Sequence, residues 1–177
     1  MRITGGTLRG RTIEVPAGII RPSMDKMRES VFACLGDLSG LSFLDIFSGS
    51  GIIAIEAASR GASFVEAVEQ DKLKRKTLLN NVSIAPVRIN CRFMPAELYV
   101  KRAKTAFDII FLDPPFPYQY KWELTANIAI SSLSKAGSRI LIHRPREDSQ
   151  KEQIPRIEKT DSREYGRSVV DFYLVQK

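Results

Sequence analysis

A short apolar run, Leu41-Ser-Phe-Leu-Asp-Ile-Phe47, breaks at Ser48-Gly-Ser-Gly51 and resumes with Ile52, Ile55 and Ala58 at helical spacing. Strand, glycine turn and helix in immediate succession open a nucleotide-binding βα unit, and such a unit commits the chain to a mostly parallel sheet covered by helices. Gly49 and Gly51 lack a Cβ, so the turn can take unusual φ values and let a ligand approach the backbone. The free N–H groups that start the following helix can meet polar ligand atoms. Read as Gly-x-Gly-x-x-Ala from Gly49 to Ala54, the turn alone also fits an ordinary strand–helix connection. The second half of the signal lies about twenty residues on, where Ser63-Phe-Val-Glu-Ala-Val-Glu69 reads as a second strand. Glu69 at its carboxyl end suits a pair of ribose hydroxyls. Asp71 better suits the start of the next helix, where an acid complements the macrodipole.

The rest of the chain keeps the alternation of strand and helix. Helices are expected at Met24–Leu35, Lys72–Val82, Pro95–Lys104 and Trp122–Leu133. Strands are expected at Val87–Cys91, Phe107–Leu112 and Ser138–His143, with two antiparallel strands at Ile154–Thr160 and Val169–Val175 joined through Tyr165-Gly166. The fold class is therefore α/β, a Rossmann-like doubly wound sheet with an antiparallel edge hairpin. Residues 1–22 read as a small hairpin-like arm turning at Gly5-Gly6, and Pro22-Ser23 as a helix start. Asp25, Lys26, Arg28 and Glu29 fit an exposed helix face slightly better than polar groups beside a ligand.

Charge narrows the partners. The 177 residues carry 27 Lys and Arg against 20 Asp and Glu, a net +7 crowded into the first thirty residues and the last quarter. A polyanion is the natural partner, because Lys and Arg release counterions on meeting phosphates. Arg2, Arg9, Arg11 and Arg21 form a plausible phosphate-contacting set, although a solvated edge strand protected by charge explains them comparably well. Cys34 and Cys91 lack paired spacing and His143 is the sole histidine, so reduced thiols are expected and no metal site. No apolar run has the length of a membrane span and no signal-peptide core follows Met1, so a cytoplasmic protein without membrane attachment is expected.

The second informative stretch is Asp113-Pro-Pro-Phe116, directly after the most hydrophobic strand. Two prolines hold the chain extended and stiff, aiming the Asp113 carboxylate and nearby carbonyls at the strands' carboxyl ends, where α/β sheets bind ligands. Phe116 offers a flat face for a base. Acceptors beside an aromatic plate suit an exocyclic amine on a planar ring, whose N–H groups they hold while its lone pair turns to an electrophile. A proline-rich loop with a capping Asp and a core Phe would give the same residues a purely structural purpose.

Leu44-Asp-Ile-Phe-Ser-Gly-Ser-Gly51 resembles motif I of class I S-adenosylmethionine-dependent methyltransferases, and Asp113-Pro-Pro-Phe116 their Asp/Asn-Pro-Pro-aromatic motif IV. With Arg2-Ile-Thr-Gly-Gly, Arg9-Gly-Arg11, Arg21-Pro-Ser-Met-Asp-Lys-Met-Arg-Glu-Ser-Val-Phe32 and Tyr165-Gly166, nearly the whole chain is similar to the RsmD family of small-subunit ribosomal RNA guanine-N2 methyltransferases. The resemblance implies S-adenosyl-L-methionine as cofactor, with Asp45, Phe47, Gly49 and Gly51 lining its pocket and Glu69 on its ribose. It implies that Asp113 and the Pro114 carbonyl fix the guanine amine and Phe116 stacks on the base. The amino-terminal arginines would help hold ribosomal RNA, free or in an assembling small subunit, with the enzyme acting as a monomer. Residues 1–36 are then an arm-and-helix extension and 37–177 the methyltransferase domain. The run Cys91-Arg-Phe-Met-Pro-Ala-Glu97 departs from the usual pattern by offering no acid or amide directly after the third strand, which leaves adenine recognition to backbone atoms. His143 is expected to close a strand rather than act as a base. The glycine turn with Glu69 would equally serve a nicotinamide-dependent oxidoreductase, but such an enzyme has no use for Asp113-Pro-Pro-Phe116. A catalytically silent RNA-binding module would share the fold, and a methyltransferase for DNA adenine or a protein amide would share the chemistry.

Overall fold

A computed structural model describes residues 1–16, 25–148 and 153–177. The apolar runs become strands β1 (Ser42–Ile46), β2 (Phe64–Val68), β3 (Ile89–Arg92), β4 (Ile109–Leu112), β5 (Arg139–Pro145), β6 (Ile157–Tyr165) and β7 (Ser168–Val175). They form one sheet in the order β3-β2-β1-β4-β5-β7-β6. The first five are parallel, and β7 runs antiparallel to both β5 and β6. Helices α1 (Asp25–Leu35), α2 (Ile52–Ser59), α3 (Arg75–Val82), α4 (Ala96–Arg102) and α5 (Lys121–Ile130) cover its two faces.

Strand periodicity explains this layering. Phe43, Val65, Ala67, Ile109, Phe111 and Leu141 point to one side, where Met27, Phe32, Ile55 and Leu78 from α1, α2 and α3 meet them. Their neighbours Leu44, Ile46, Val68, Ile110, Leu112, Ile140 and Ile142 point to the other, against Tyr99, Leu124 and Ile128 of α4 and α5. Both faces of the central strands are thus buried, which is why their sequences read as unbroken apolar runs rather than as alternation.

Several boundaries differ from the sequence expectation. The helix expected at Lys72–Val82 is split: Asp71 accepts a bond from the Leu73 N–H and opens a 3-10 turn at Lys72–Lys74, from which α3 continues. The helix expected through Leu133 ends at Ile130, because Ser131 is extended and its hydroxyl bonds the Ile128 carbonyl. The first strand of the terminal hairpin lies at Ile157–Tyr165 instead of Ile154–Thr160. Its middle residues are exposed, so apolar alternation is absent there, and pairing with the buried β7 sets its position. The two-residue connection is Gly166-Arg167, with Gly166 at φ 62.

The amino-terminal arm is more compact than a regular hairpin. Arg2 and Thr12 form a single antiparallel bridge around a 3-10 turn at Gly6–Leu8. The Ser59 hydroxyl donates to the Gly5 carbonyl at 2.6 Å and accepts from the Leu8 N–H at 2.9 Å, fastening the turn to α2. Gly6 is required here: at φ 74, a Cβ would lie 1.9 Å from the Ser59 carbonyl oxygen. Ile3, Leu8 and Ile13 join the same core cluster as α2. Lys26 and Glu29 are exposed as expected, but Arg28 is fully buried, bonded to the Arg2 carbonyl and Asp25 and paired with Glu56. Helical spacing could suggest the Asp25 pair but not the burial, because the Arg2 carbonyl and Glu56 come from the arm and from α2. The Pro22-Ser23 helix start lies outside the described residues. Among the described residues no helix is long and apolar enough to cross a membrane.

Candidate active site at the carboxyl edge of the sheet

The order of strands reverses at β1: the chain moves to β2 and β3 on one side, then returns to β4 on the other. Loops leaving β1 and β4 diverge at such a point and leave a crevice at the strands' carboxyl ends. A cleft of about 1020 Å³ occupies it, lined by residues that include Asp45, Phe47, Gly49, Glu69, Asp113, Pro114 and Phe116. The two motifs, more than sixty positions apart in sequence, therefore face one space.

The first wall is the glycine turn. The Phe47 and Ser48 N–H groups both donate to the Val68 carbonyl, drawing the loop across the end of β2. Phe47 is held at φ 69, an unusual value for a residue with a side chain, and its ring packs on Tyr118 at 5.2 Å. At Gly49, φ is 55 and an added Cβ would meet no atom closer than 4.0 Å, so the backbone there borders open space. Glu69 braces this wall: Oε2 accepts from the Gly49 N–H and Oε1 from the Asp71 N–H, each at 2.8 Å. Lys74 lies 3.7 Å from Oε2. Gly51 has a different place. It starts α2 at φ 81, is absent from the cleft wall, and a Cβ there would come within 2.6 Å of Leu78 and 3.2 Å of Val82. Its lack of a side chain permits close packing of α3, while Gly49 borders the cleft.

Asp45 lies at the floor. One oxygen accepts from the Ala54 N–H at 3.2 Å, and Oδ1 is buried without a hydrogen-bond partner among the described residues. Burial, then the nearby charge of Asp113, pushes its carboxyl up to about 8. The opposite wall is Asp113-Pro-Pro-Phe116, anchored where the Asp113 N–H donates to the Ile46 carbonyl. Asp113 Oδ1 bonds Nδ1 of His143 at 2.8 Å, and the His143 ring meets Phe116 edge-on at 5.8 Å.

Sequence reasoning missed the place of His143, which is not part of the cleft lining but contacts two residues that are. The signal was register: β4 and β5 run parallel with Leu112 beside Ile142, so the next residues, Asp113 and His143, are neighbours. Arg167 and Glu147, from the two loops beyond β5, also reach the cleft. Of the sequence-predicted RNA contacts, Arg2 is largely exposed but lies 3.4 Å from Asp25, and Arg9 and Arg11 are exposed. None of these three lines the cleft, and Arg21 lies outside the described residues.

The donor set fits S-adenosylmethionine. The wall contributes the carboxyls of Glu69, Asp71, Asp113 and Glu147, beside the protonated Asp45, against the cations Lys74 and Arg167, an acidic lining within a basic chain. Such a lining favours a positively charged ligand. The open glycine backbone, the Glu69 carboxylate and the unpaired Asp45 oxygen match a ligand with a polar, hydroxyl-bearing body.

The model of the family described as conserved hypothetical protein 95 matches residues 1–174. YlbH of Bacillus subtilis (strain 168), a proposed rRNA methyltransferase, is 32% identical over 98% of both chains. Ribosomal RNA small subunit methyltransferase D of Escherichia coli (strain K12) is 33% identical over 66% of this chain and 60% of its own length. Among solved structures, yhhF of Escherichia coli, a proposed methyltransferase, superposes with a TM-score of 0.89 at 25% identity, over 99% of this chain and 98% of that one. Matched from end to end in this way, the chain belongs to the RsmD family and has the class I methyltransferase fold.

Proposed function

We propose that this protein transfers the methyl group of S-adenosylmethionine to the exocyclic N2 amine of a guanine in small-subunit ribosomal RNA. The observation that carries the proposal is the shared cleft: the glycine turn with Glu69 forms one wall and Asp113-Pro-Pro-Phe116 the other. The names of the relatives, an rRNA methyltransferase and a small-subunit methyltransferase, support the class of acceptor.

When bound, S-adenosylmethionine supplies an electrophilic methyl group on a positively charged sulfur, which would keep the electron pair of the broken carbon–sulfur bond and leave as a neutral thioether. Glu69 is assigned to the ribose hydroxyls; its two oxygens already accept backbone N–H bonds, which holds their remaining lone pairs in fixed directions. Asp113 Oδ2 and the Pro114 carbonyl accept the two amine hydrogens, and Phe116 stacks on the ring. A guanine amine is a poor nucleophile because its lone pair is delocalised into the ring, so orientation must supply much of the rate. Asp113 also stabilises the positive charge that gathers on nitrogen as the carbon–nitrogen bond forms. The amine then gives up one proton, which leaves to solvent along the open edge of the cleft, so no strong base is needed. A guanine that is paired or stacked in RNA must first be swung out, at a cost of a few kcal/mol.

The test is incubation with isotopically labelled S-adenosylmethionine and small-subunit RNA, both free and assembled, followed by mass-spectrometric mapping. N2-methylguanosine is expected. Label on adenine would replace the acceptor, and absence of label would leave a silent RNA-binding module. Asp113→Ala is expected to lower kcat by about 10²–10³ while leaving affinity for S-adenosylmethionine within about twofold. An equal loss of both would remove Asp113 from the acceptor side.

A further inference from the structure

His143 contacts two cleft residues, and the proposed reaction gives it no role. Its Nδ1 lies 2.8 Å from Asp113 Oδ1, and its ring meets Phe116 edge-on with an interplanar angle of 69°. It is 8% exposed, and its Nε2 is buried without a hydrogen-bond partner among the described residues. A surface histidine could satisfy both nitrogens with water; this one leaves one nitrogen unmet while the other holds a carboxylate.

We infer that His143 is the positioning residue of the acceptor wall: its Nδ1–H pins one oxygen of Asp113, so that the other is presented to the incoming amine, and its ring edge sets the plane of Phe116. The inference rests on the methyl transfer proposed above. The paired prolines stiffen the backbone after Asp113, but they do not fix its side-chain torsions. With about a quarter of its side chain exposed at the cleft, Asp113 would otherwise sample several rotamers. The hydrogen bond to a ring on the neighbouring strand removes that freedom. It also favours one donor: a carboxylate oxygen accepts, so the hydrogen of this bond is placed on Nδ1. A displacement of about 1 Å at a reacting group can cost about 10² in rate, so a residue that never touches the substrate can govern turnover.

The chain has a single histidine, which makes the test clean. In nitrogen-15 NMR of the free protein near neutral pH, the imidazole is expected to be protonated at Nδ1. Asp113→Ala is expected to shift or exchange-broaden that resonance. In the methyl-transfer assay, His143→Leu is expected to lower kcat about 10², with KM for RNA and affinity for S-adenosylmethionine changed less than about threefold. His143→Asn, whose amide N–H occupies the place of Nδ1, is expected to recover most of that loss; His143→Gln, whose amide sits one methylene farther out, is not. An Nε2-protonated ring indifferent to Asp113→Ala, or a Leu variant with wild-type kcat, would overturn the inference. Should His143→Leu fail to fold, the wild-type spectrum and the Asn and Gln variants still decide it. Wild-type protein that methylates no RNA would instead defeat the functional proposal, and the spectrum would still report whether the pair exists.

Discussion

Asp45 and Glu69 are carboxyl groups at the ends of adjacent strands, and their surroundings divide their roles. Glu69 meets two backbone N–H groups and lies near Lys74. Among the described residues, Asp45 has one N–H partner and one oxygen without a partner, with Asp113 close by. Asp45 therefore keeps its proton up to about pH 8 in the folded chain, against 3.8 for the ordinary group. Between those values the folded state binds more protons at Asp45 than the unfolded state does, so this group makes stability fall as pH rises. Asp45→Asn is expected to remove that slope: denaturant melts at about pH 5 and about pH 8 should show the variant gaining on the wild type at the higher pH. A stability difference independent of pH would contradict a raised Asp45. Glu69→Ala removes the brace of the glycine turn together with the proposed ribose acceptor. Calorimetry should record a loss of S-adenosylmethionine affinity of about 10–100-fold, in line with hydrogen bonds to a charged group. Unchanged affinity would take Glu69 out of the site.

At the scale of elements, the arm and α2 are coupled by buried charge. Glu56 is wholly buried; Oε1 accepts from the Thr4 N–H at 2.5 Å and lies 3.5 Å from Arg28 Nε, while Oε2 bonds Arg60 at 3.2 Å. Arg60 in turn donates to the Thr4 hydroxyl at 3.1 Å. Glu56→Ala would strip both arginines of their shared carboxylate, and loss of one partner from a buried pair costs about 3–5 kcal/mol. Chemical denaturation should show a loss of that size, and hydrogen exchange should show faster opening at Thr4 and Leu8 than in β4. A loss confined to a few tenths of a kcal/mol would mean that the arm is held by the packing of Ile3, Leu8 and Ile13 and by the Ser59 bonds rather than by this buried charge. The arm's arginines and glycines were legible as a compact basic unit. Its attachment was not, because Ser59 and Glu56 look like ordinary helix residues until the arm lies on them.

Across the whole molecule, a net charge of +7 surrounds a cleft whose lining is acidic. That separation suits two ligands of opposite charge: a polyanion on the outside and a cationic donor within. Arg9 and Arg11 are exposed and lie away from the cleft, so Arg9→Ala with Arg11→Ala isolates the outer function. The double variant is expected to bind small-subunit RNA more weakly and to reduce the slope of log affinity against log salt by about 2, with S-adenosylmethionine binding unchanged. An unaltered salt slope would show that the arm's arginines do not touch phosphate.

Much of this protein was written locally. Phe43 to Ile46, Ile109 to Leu112 and the glycine turn between Phe47 and Gly51 announce buried parallel strands and a loop that borders the cleft, because apolar period and glycine conformation are properties of a few consecutive residues. Glu69 and Asp113 could be picked out for the same reason: each follows directly on a strand. Tertiary structure decided the rest. Only parallel register brings His143 to Asp113, only the packing of α3 separates the duties of Gly51 from those of Gly49, and only burial beside a second carboxyl holds the proton on Asp45. Hydrogen-bond partnership and local polarity belong to the space around a side chain, and that space is filled by residues far away in the chain.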